Sequence, residues 1–383
     1  MISNLNIAVV GPVHPYRGGI AHYTTLLAAH LCQRHVTRVY SFRKQYPGWL
    51  FPGRSQLEPS DIPLANIEAQ YWLTPWWPGS WRRVTKDWSS WRPAVVVFQW
   101  WVPFMAPMTA WLAARASRAG ARVVMICHNV LPHEHSRSDA ALVRMALSRA
   151  DRLIVHSASE QHRAQELFPH ATVEVVPLPS FVAFHSEKWS RAHARAALNL
   201  DGKVVLFFGL VRPYKGLIDL LDALPGVLSE TAVQLLVVGE IWGDAELYRS
   251  RVKALGLESR VNFVDRYVSN DEAAMYFAAT DLAVLPYREA TGSAVLQLAF
   301  GLGVPVVVTR TGGMGEVVQD GVTGFIVEPG DVDGLTRAML RFFRDDWGDR
   351  MRQAIQQQDP FASWSRLIGA IEREAGIGHQ HGA

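Results

Sequence analysis

Arg212 and Lys215 in KVVLFFGLVRPYKGLIDLLDAL, and Glu289 in DLAVLPYREATGSAVLQLAFG, have the types and spacing to do chemistry. KVVLFFG reads as a strand and LIDLLDAL as a helix, so both cations stand where a strand gives way to a helix opening. There they face the positive end of the helix dipole, at a cost of about 0.3 to 1 kcal/mol each unless an anion neutralises them. A bound phosphate beside Gly216 removes the conflict. Glu289 lies just outside a helix opened by Thr291, Gly292 and Ser293, with Ala294, Val295, Leu298 and Leu302 as its expected buried face and Gly303 and Pro305 as its stop. A carboxylate only accepts hydrogen bonds, so Glu289 suits ligand hydroxyls, while Gln297, eight residues on, offers both an acceptor and a donor group.

Two further turns qualify. In GPVHPYRGGIAHYTTLLAAHL, Gly18 and Gly19 precede a helix with Ile20, Tyr23, Leu27 and Leu31 on one face. Bare backbone at a helix start lets an anion approach the N–H groups, although a plain tight turn reads the same way. His128 closes the strand ARVVMIC, where a polar ring suits a ligand contact or an interdomain hydrogen bond better than a core. His133 and His135 around Glu134 have no cysteine or carboxylate cluster to complete a metal site. Asp331 and Asp333 imitate a cation-binding pair but precede a helical run and read as N-caps. No metal is expected.

These turns need elements to hold them. Strand-like runs alternate with helical ones from NIAVVG (6–11) to VPVVVT (304–309), and the strands are continuously apolar, which predicts parallel sheets covered on both faces. At 383 residues two such sheets fit. Alternation pauses around Pro177 and Pro179, so the expected domains are 1–182 and 183–360. After Pro360, Ser363 is the expected cap of a last helix, 361–376, whose Trp364, Leu367, Ile368 and Ile371 share a face and require a partner surface.

Composition excludes disorder and fibrous classes, with 49% hydrophobic and 19% charged residues. Two cysteines give no disulfide framework and fit a reducing, cytoplasmic setting. MISNLNIAVVG reads as a first strand, not a signal peptide. Pro93–Ala114 carries no charge, but Pro103, Pro107 and Gln99 predict strand, turn and helix instead of a membrane span. Residues 1–190 carry a net +8 and the remainder −5. With Trp72, Trp76, Trp77, Trp81, Trp88, Trp91, Trp100, Trp101 and Trp111, the basic half is either a Trp-rich core with a solvated face or a surface that rests on an anionic membrane. No nucleic-acid partner is expected.

RGGIAHY, His128, GLVRPYKGL, YREATGSAVLQLAFGLGVPVVVTRTGG and GVTGFIVEPGD, in this order, resemble the retaining family 4 glycosyltransferases of GT-B fold. The resemblance covers essentially the whole chain. It implies an α/β architecture of two doubly wound Rossmann-like domains facing across a cleft, with the last helix crossing back to the N-terminal domain. The C-terminal domain would hold a nucleotide-sugar and the N-terminal domain a glycan or lipid-linked acceptor, in cell-surface or secondary-metabolite glycan synthesis. By position, Arg212 and Lys215 would hold the diphosphate, helped by backbone at Gly18, Gly19, Gly292, Ser293 and Ala294. Glu289 matches the first carboxylate of the family's Glu-x7-Glu motif and would touch the transferred sugar, and His128 would orient it. Arg266, Tyr267 and Val268 would border the base, mainly through backbone. The chain departs from the pattern at Gln297, where the family has a second carboxylate for the ribose diol. The expected cost is on the order of 1 kcal/mol in nucleotide binding. No organic cofactor is implied.

A nucleotide-sugar epimerase of the same fold and a non-catalytic partner subunit are the competing readings. A dinucleotide-dependent dehydrogenase is disfavoured, because no GxGxxG with an acidic residue about 20 positions later opens either half.

Overall fold

Runs such as VVVFQW and KVVLFF have almost no polar side chain to offer water, and they form interior strands with helices on both faces. The computed structural model describes residues 4–48, 51, 53–60, 63–131, 137–181 and 188–376. Two units divide the chain: Met1–Pro179 with Phe361–Ala383, and Ser180–Pro360.

The first unit begins with β1 (Asn6–Val10), α1 (Gly19–Cys32), β2 (Val36–Phe42), β3 (Ala69–Leu73) and α2 (Pro78–Trp91). It continues with β4 (Val95–Trp100), α3 (Ala106–Arg118), β5 (Arg122–Cys127), α4 (Arg137–Leu147), β6 (Arg152–Val155), α5 (Ala158–Leu167) and β7 (Val173–Val175). Its parallel sheet has the order β3-β2-β1-β4-β5-β6-β7. The charge-free stretch is β4, a 3-10 turn at Pro103–Met105 and the start of α3, as its prolines require. Among the described residues, no helix is long and apolar enough to cross a membrane.

The second unit holds α6 (Arg191–Leu198), β8 (Lys203–Phe208), α7 (Leu217–Leu228), β9 (Val233–Val238), α8 (Ala245–Ala254), β10 (Val261–Val264) and α9 (Asn270–Ala279). Then come β11 (Leu282–Leu285), α10 (Ala294–Gly301), β12 (Val306–Thr309), α11 (Met314–Val317), β13 (Gly324–Val327), α12 (Val332–Arg344) and α13 (Trp347–Gln356). This sheet is also parallel, in the order β10-β9-β8-β11-β12-β13.

The last helix, α14 (Ala362–Glu374), belongs to the first unit. Trp364 packs 4.9 Å from the His30 ring and 5.4 Å from the Tyr23 ring of α1. Glu372 pairs with Arg34 and His35, and Glu374 with Arg122 and Arg152. Its N-cap is Phe361, with no side-chain hydrogen bond, so Ser363 lies inside the helix and does not cap it as expected. Asp331 does cap α12, accepting from the Gly334 N–H at 2.7 Å, while Asp333 sits in the first turn.

Candidate functional site

Because all strands of the second sheet run one way, the turns after β8, β9, β10, β11 and β12 share one edge. The chain goes from β8 outward to β9 and β10, then returns to place β11 on the other side of β8. That reversal makes β8/β11 the switch point, where helices leave in opposite directions and ligands collect.

The turns flanking it are interlocked. The Arg288 N–H donates to the Tyr214 carbonyl at 2.7 Å, and the Arg288 guanidinium makes two bonds, 2.9 and 2.6 Å, to Asp219 in the first turn of α7. Gly216 has φ +67°, and a Cβ there would fall 1.9 Å from the Pro286 carbonyl oxygen. On the other flank, the Thr309 hydroxyl donates to the Tyr287 carbonyl and the Gly313 N–H to the Thr291 carbonyl at 3.0 Å.

Lys215 stands at the centre of this arrangement. It ends a 3-10 turn, Pro213–Lys215, that comes before α7, so the two expected cations bracket this turn and do not lie in the first turn of the helix. Lys215 is only 9% exposed. Its Nζ is 5.1 Å from the centre of the Tyr287 ring, and a Cβ on Gly209 would come within 3.3 Å of it. Among the described residues, no carboxylate pairs with it. Burial holds its ammonium below the usual lysine range; Tyr214 opposes the shift and Arg212 adds to it. A buried cation without a counter-charge is costly, and a bound anion is the direct remedy. Arg212 is exposed, with its guanidinium 5.2 Å from the Tyr214 ring and 5.5 Å from the Trp242 ring.

Glu289 and Gly292 are exposed in the turn after β11. Ser293 caps α10 by accepting from the Leu296 N–H at 3.2 Å, and Ala294 is its first residue. The helix buries Leu296, Gln297, Leu298, Ala299 and Phe300, whereas Ala294, Val295 and Leu302 are only half-buried, a correction to the expected face. α10 is short and sunk into the unit on nearly all sides, so it has no single apolar stripe. Gln297 is 5% exposed, and its side-chain amide has no hydrogen-bond partner among the described residues. After β10, the Arg266 side chain pairs with Glu272, which completes the capping box of α9 with Ser269. Tyr267 is half-buried and Val268 buried.

Gly18, Gly19 and His128 belong to the first unit. Gly18 has φ +99° with open space where a Cβ would be, and no side chain caps α1. The His128 Nε2 donates to the Gln99 Oε1 at 2.7 Å, and its ring meets Tyr23 edge-on at 4.9 Å. Burial, then the neighbouring His156, keeps its imidazole neutral far below the usual histidine range. His156, 5.5 Å from His128, donates from Nδ1 to the Val176 carbonyl at 2.8 Å, and burial lowers its pKa to about 4. The Tyr23 hydroxyl, the Gln99 Nε2 and the His156 Nε2 are buried without partners among the described residues. This cluster escaped the sequence reading, although His156 follows RLIV as His128 follows ARVVMIC. His133, Glu134 and His135 lie outside the described residues, and among the described ones no metal-binding group of side chains occurs.

The two sheets and their order define the architecture of the GT-B class. Among solved structures, the sucrose-phosphate synthase of Thermosynechococcus elongatus is similar with TM-score 0.72 at 18% identity, over 97% of this chain and 99% of that one. Anabaena Alr3699/HepE in complex with UDP and glucose gives the same TM-score at 18% identity, over 97% and 100%. A family model described as Glycosyl transferases group 1 matches residues 202–345, and one described as Glycosyl transferase 4-like domain matches residues 18–179. The chain belongs to the group 1, family 4 glycosyltransferases. Among curated relatives, the N-acetyl-alpha-D-glucosaminyl L-malate synthase of Bacillus anthracis is 26% identical over 57% of this chain and 58% of its own length. The D-inositol 3-phosphate glycosyltransferase 1 of Catenulispora acidiphila is 29% identical over 70% and 67%. The chain spans little more than half the length of several curated relatives it matches.

Proposed function

We propose that this protein is a retaining glycosyltransferase that moves a sugar from a nucleoside diphosphate to a glycan or lipid-linked acceptor without a metal ion. The observation that carries this reading is Lys215, a buried ammonium without a carboxylate at the switch point of the second sheet. Arg212 stands three residues earlier, on the other side of the same turn. Transfer breaks the anomeric bond toward a sugar cation while charge grows on the departing diphosphate. A fixed ammonium and guanidinium stabilise that charge, the largest kind of contribution in such sites. The family pattern gives the rest: the acceptor attacks on the face the diphosphate leaves, and the diphosphate takes the proton. Glu289 accepts from sugar hydroxyls, Gln297 bridges the ribose diol without charge assistance, and residues 266–268 border the base. His128 orients the sugar. Its Nε2 is already held by Gln99, so a sugar oxygen at that atom would have to share or replace this bond.

One structural neighbour supports a nucleotide donor, since HepE is described with UDP-glucose and with UDP and glucose. Cys32 and Cys127 are free thiols, in keeping with a cytoplasmic setting.

A thermal-shift screen across UDP-, GDP- and ADP-sugars, followed by product analysis with and without a chelator, tests the reading. One donor class should raise the melting midpoint by mass action, and turnover should survive chelation. Glu289→Ala should abolish turnover and Gln297→Glu should lower the donor KM. The reading fails if Glu289→Ala leaves turnover intact and Gln297→Glu changes nothing measurable.

A further inference from the structure

Trp76 and Trp77 are 45% and 64% exposed, although tryptophan is among the residues that gain most from leaving water. They lead into α2 through Pro78 and Gly79, and all four of these residues face solvent. The pair is built in place. A Cβ on Gly79 would lie 2.7 Å from the Trp77 Nε1, so the glycine lets the indole settle over the first turn. The Ser80 hydroxyl donates to the Trp77 carbonyl at 2.7 Å, and the Trp81 indole donates to the Thr74 carbonyl at 3.0 Å, fixing the bend.

Exposed cations are carried by the segments that adjoin the indoles. Arg82, Arg83 and Lys86 are exposed on α2, and Arg83 also lies over the Trp72 ring at 4.2 Å. Arg43 and Lys44, both exposed, follow β2, and their N–H groups reach the Leu73 carbonyl at 2.7 and 3.5 Å, immediately before the tryptophan turn. The only acid from Ala69 to Arg92 is Asp87, which is neutralised by two bonds from Arg38 and one from Tyr40. Glu68 stands at the opposite end of β3.

We propose that Trp76 and Trp77, flanked by Arg43, Lys44, Arg82, Arg83 and Lys86, dock this protein on an anionic phospholipid bilayer. Indole rings settle at the depth of the headgroups, and basic side chains around them meet the negative surface. The patch lies at the carboxyl end of β3, on the same edge of the parallel sheet as Gly18, Gly19 and His128. Docking therefore brings that edge to the lipid surface. Within the proposed glycosyltransferase reading, this favours the lipid-linked acceptor over a soluble glycan.

Co-sedimentation of the full chain with vesicles of phosphatidylcholine alone, or mixed with phosphatidylglycerol, at low and high salt tests the docking without any sugar transfer. It can therefore fail while the glycosyltransferase reading stands. The chain should pellet with the mixed vesicles at low salt, stay in solution with phosphatidylcholine alone, and be released by salt. Trp76→Ala with Trp77→Ala, and separately Arg82→Glu with Arg83→Glu, should each weaken binding about tenfold or more while melting as the parent does. No pelleting with the mixed vesicles at low salt would overturn the proposal, as would variants that bind like the parent. Self-association of the free chain that the tryptophan variant abolishes would reassign the patch to a second copy and overturn it too.

Discussion

At Gly216 a single hydrogen atom decides whether the two turns at the switch point can interlock. The residue is left-handed and nearly touches the Pro286 carbonyl, so Gly216→Ala meets backbone strain and a collision together. Relief requires the turn carrying Lys215 to move away from the turn carrying Glu289. The variant should melt lower, by an amount corresponding to about 2 kcal/mol or more, and should lose nucleotide-induced stabilisation. Calorimetry with and without UDP checks this, and unchanged stabilisation would show that the interlock is not needed for binding. Lys215 was legible in the sequence as a cation at a strand end. Its burial was not, because that depends on Tyr287, a residue far away along the chain that packs beside it.

α14 joins the first unit through one buried indole and a row of ion pairs. Trp364 is 3% exposed against Tyr23 and His30, so Trp364→Ala should destabilise that unit by about 3 to 5 kcal/mol in denaturant titration. A loss below about 1 kcal/mol would mean that the helix is held by its ion pairs instead. The neighbouring turns carry a pH dependence. Folded His156 protonates only at about 4, against about 6.5 in an unfolded chain, so between these values the unfolded state binds more protons. Its contribution is complete above about 6.5 and is lost as pH falls toward about 4, on the order of 3 kcal/mol, with His128 acting in the same direction. His156→Asn keeps a donor at the Nδ1 position for the Val176 carbonyl and should flatten the acid limb of melting temperature against pH; an unchanged limb would contradict the assignment. At this scale the sequence was readable where strands are continuously apolar, as in β4, β5, β8 and β9. It was less so for β2, β3 and β7, which sit toward one edge or the other of their sheet and carry polar or exposed residues. Helix termini were uneven: Asp331 caps as its type suggests, while Phe361 holds the start of α14 without a side-chain bond, which no local pattern announces.

For the whole molecule, β-α alternation made two parallel sheets legible, and the order of strand-end turns made the family legible. The uneven charge was visible too, but only the fold shows which basic residues gather beside exposed indoles. Family membership leaves donor and acceptor chemistry to the side chains, and the account rests on one electrostatic claim: the second unit keeps a buried cation for a diphosphate. Calorimetric titration of UDP into the parent chain and into Lys215→Gln at neutral pH tests it most directly. The account predicts that Lys215→Gln binds about 10- to 100-fold more weakly, and that binding to the parent declines with rising pH earlier than an ordinary lysine would allow. Binding by Lys215→Gln within about twofold of the parent, or no binding of UDP, GDP or ADP to the parent at all, would contradict it.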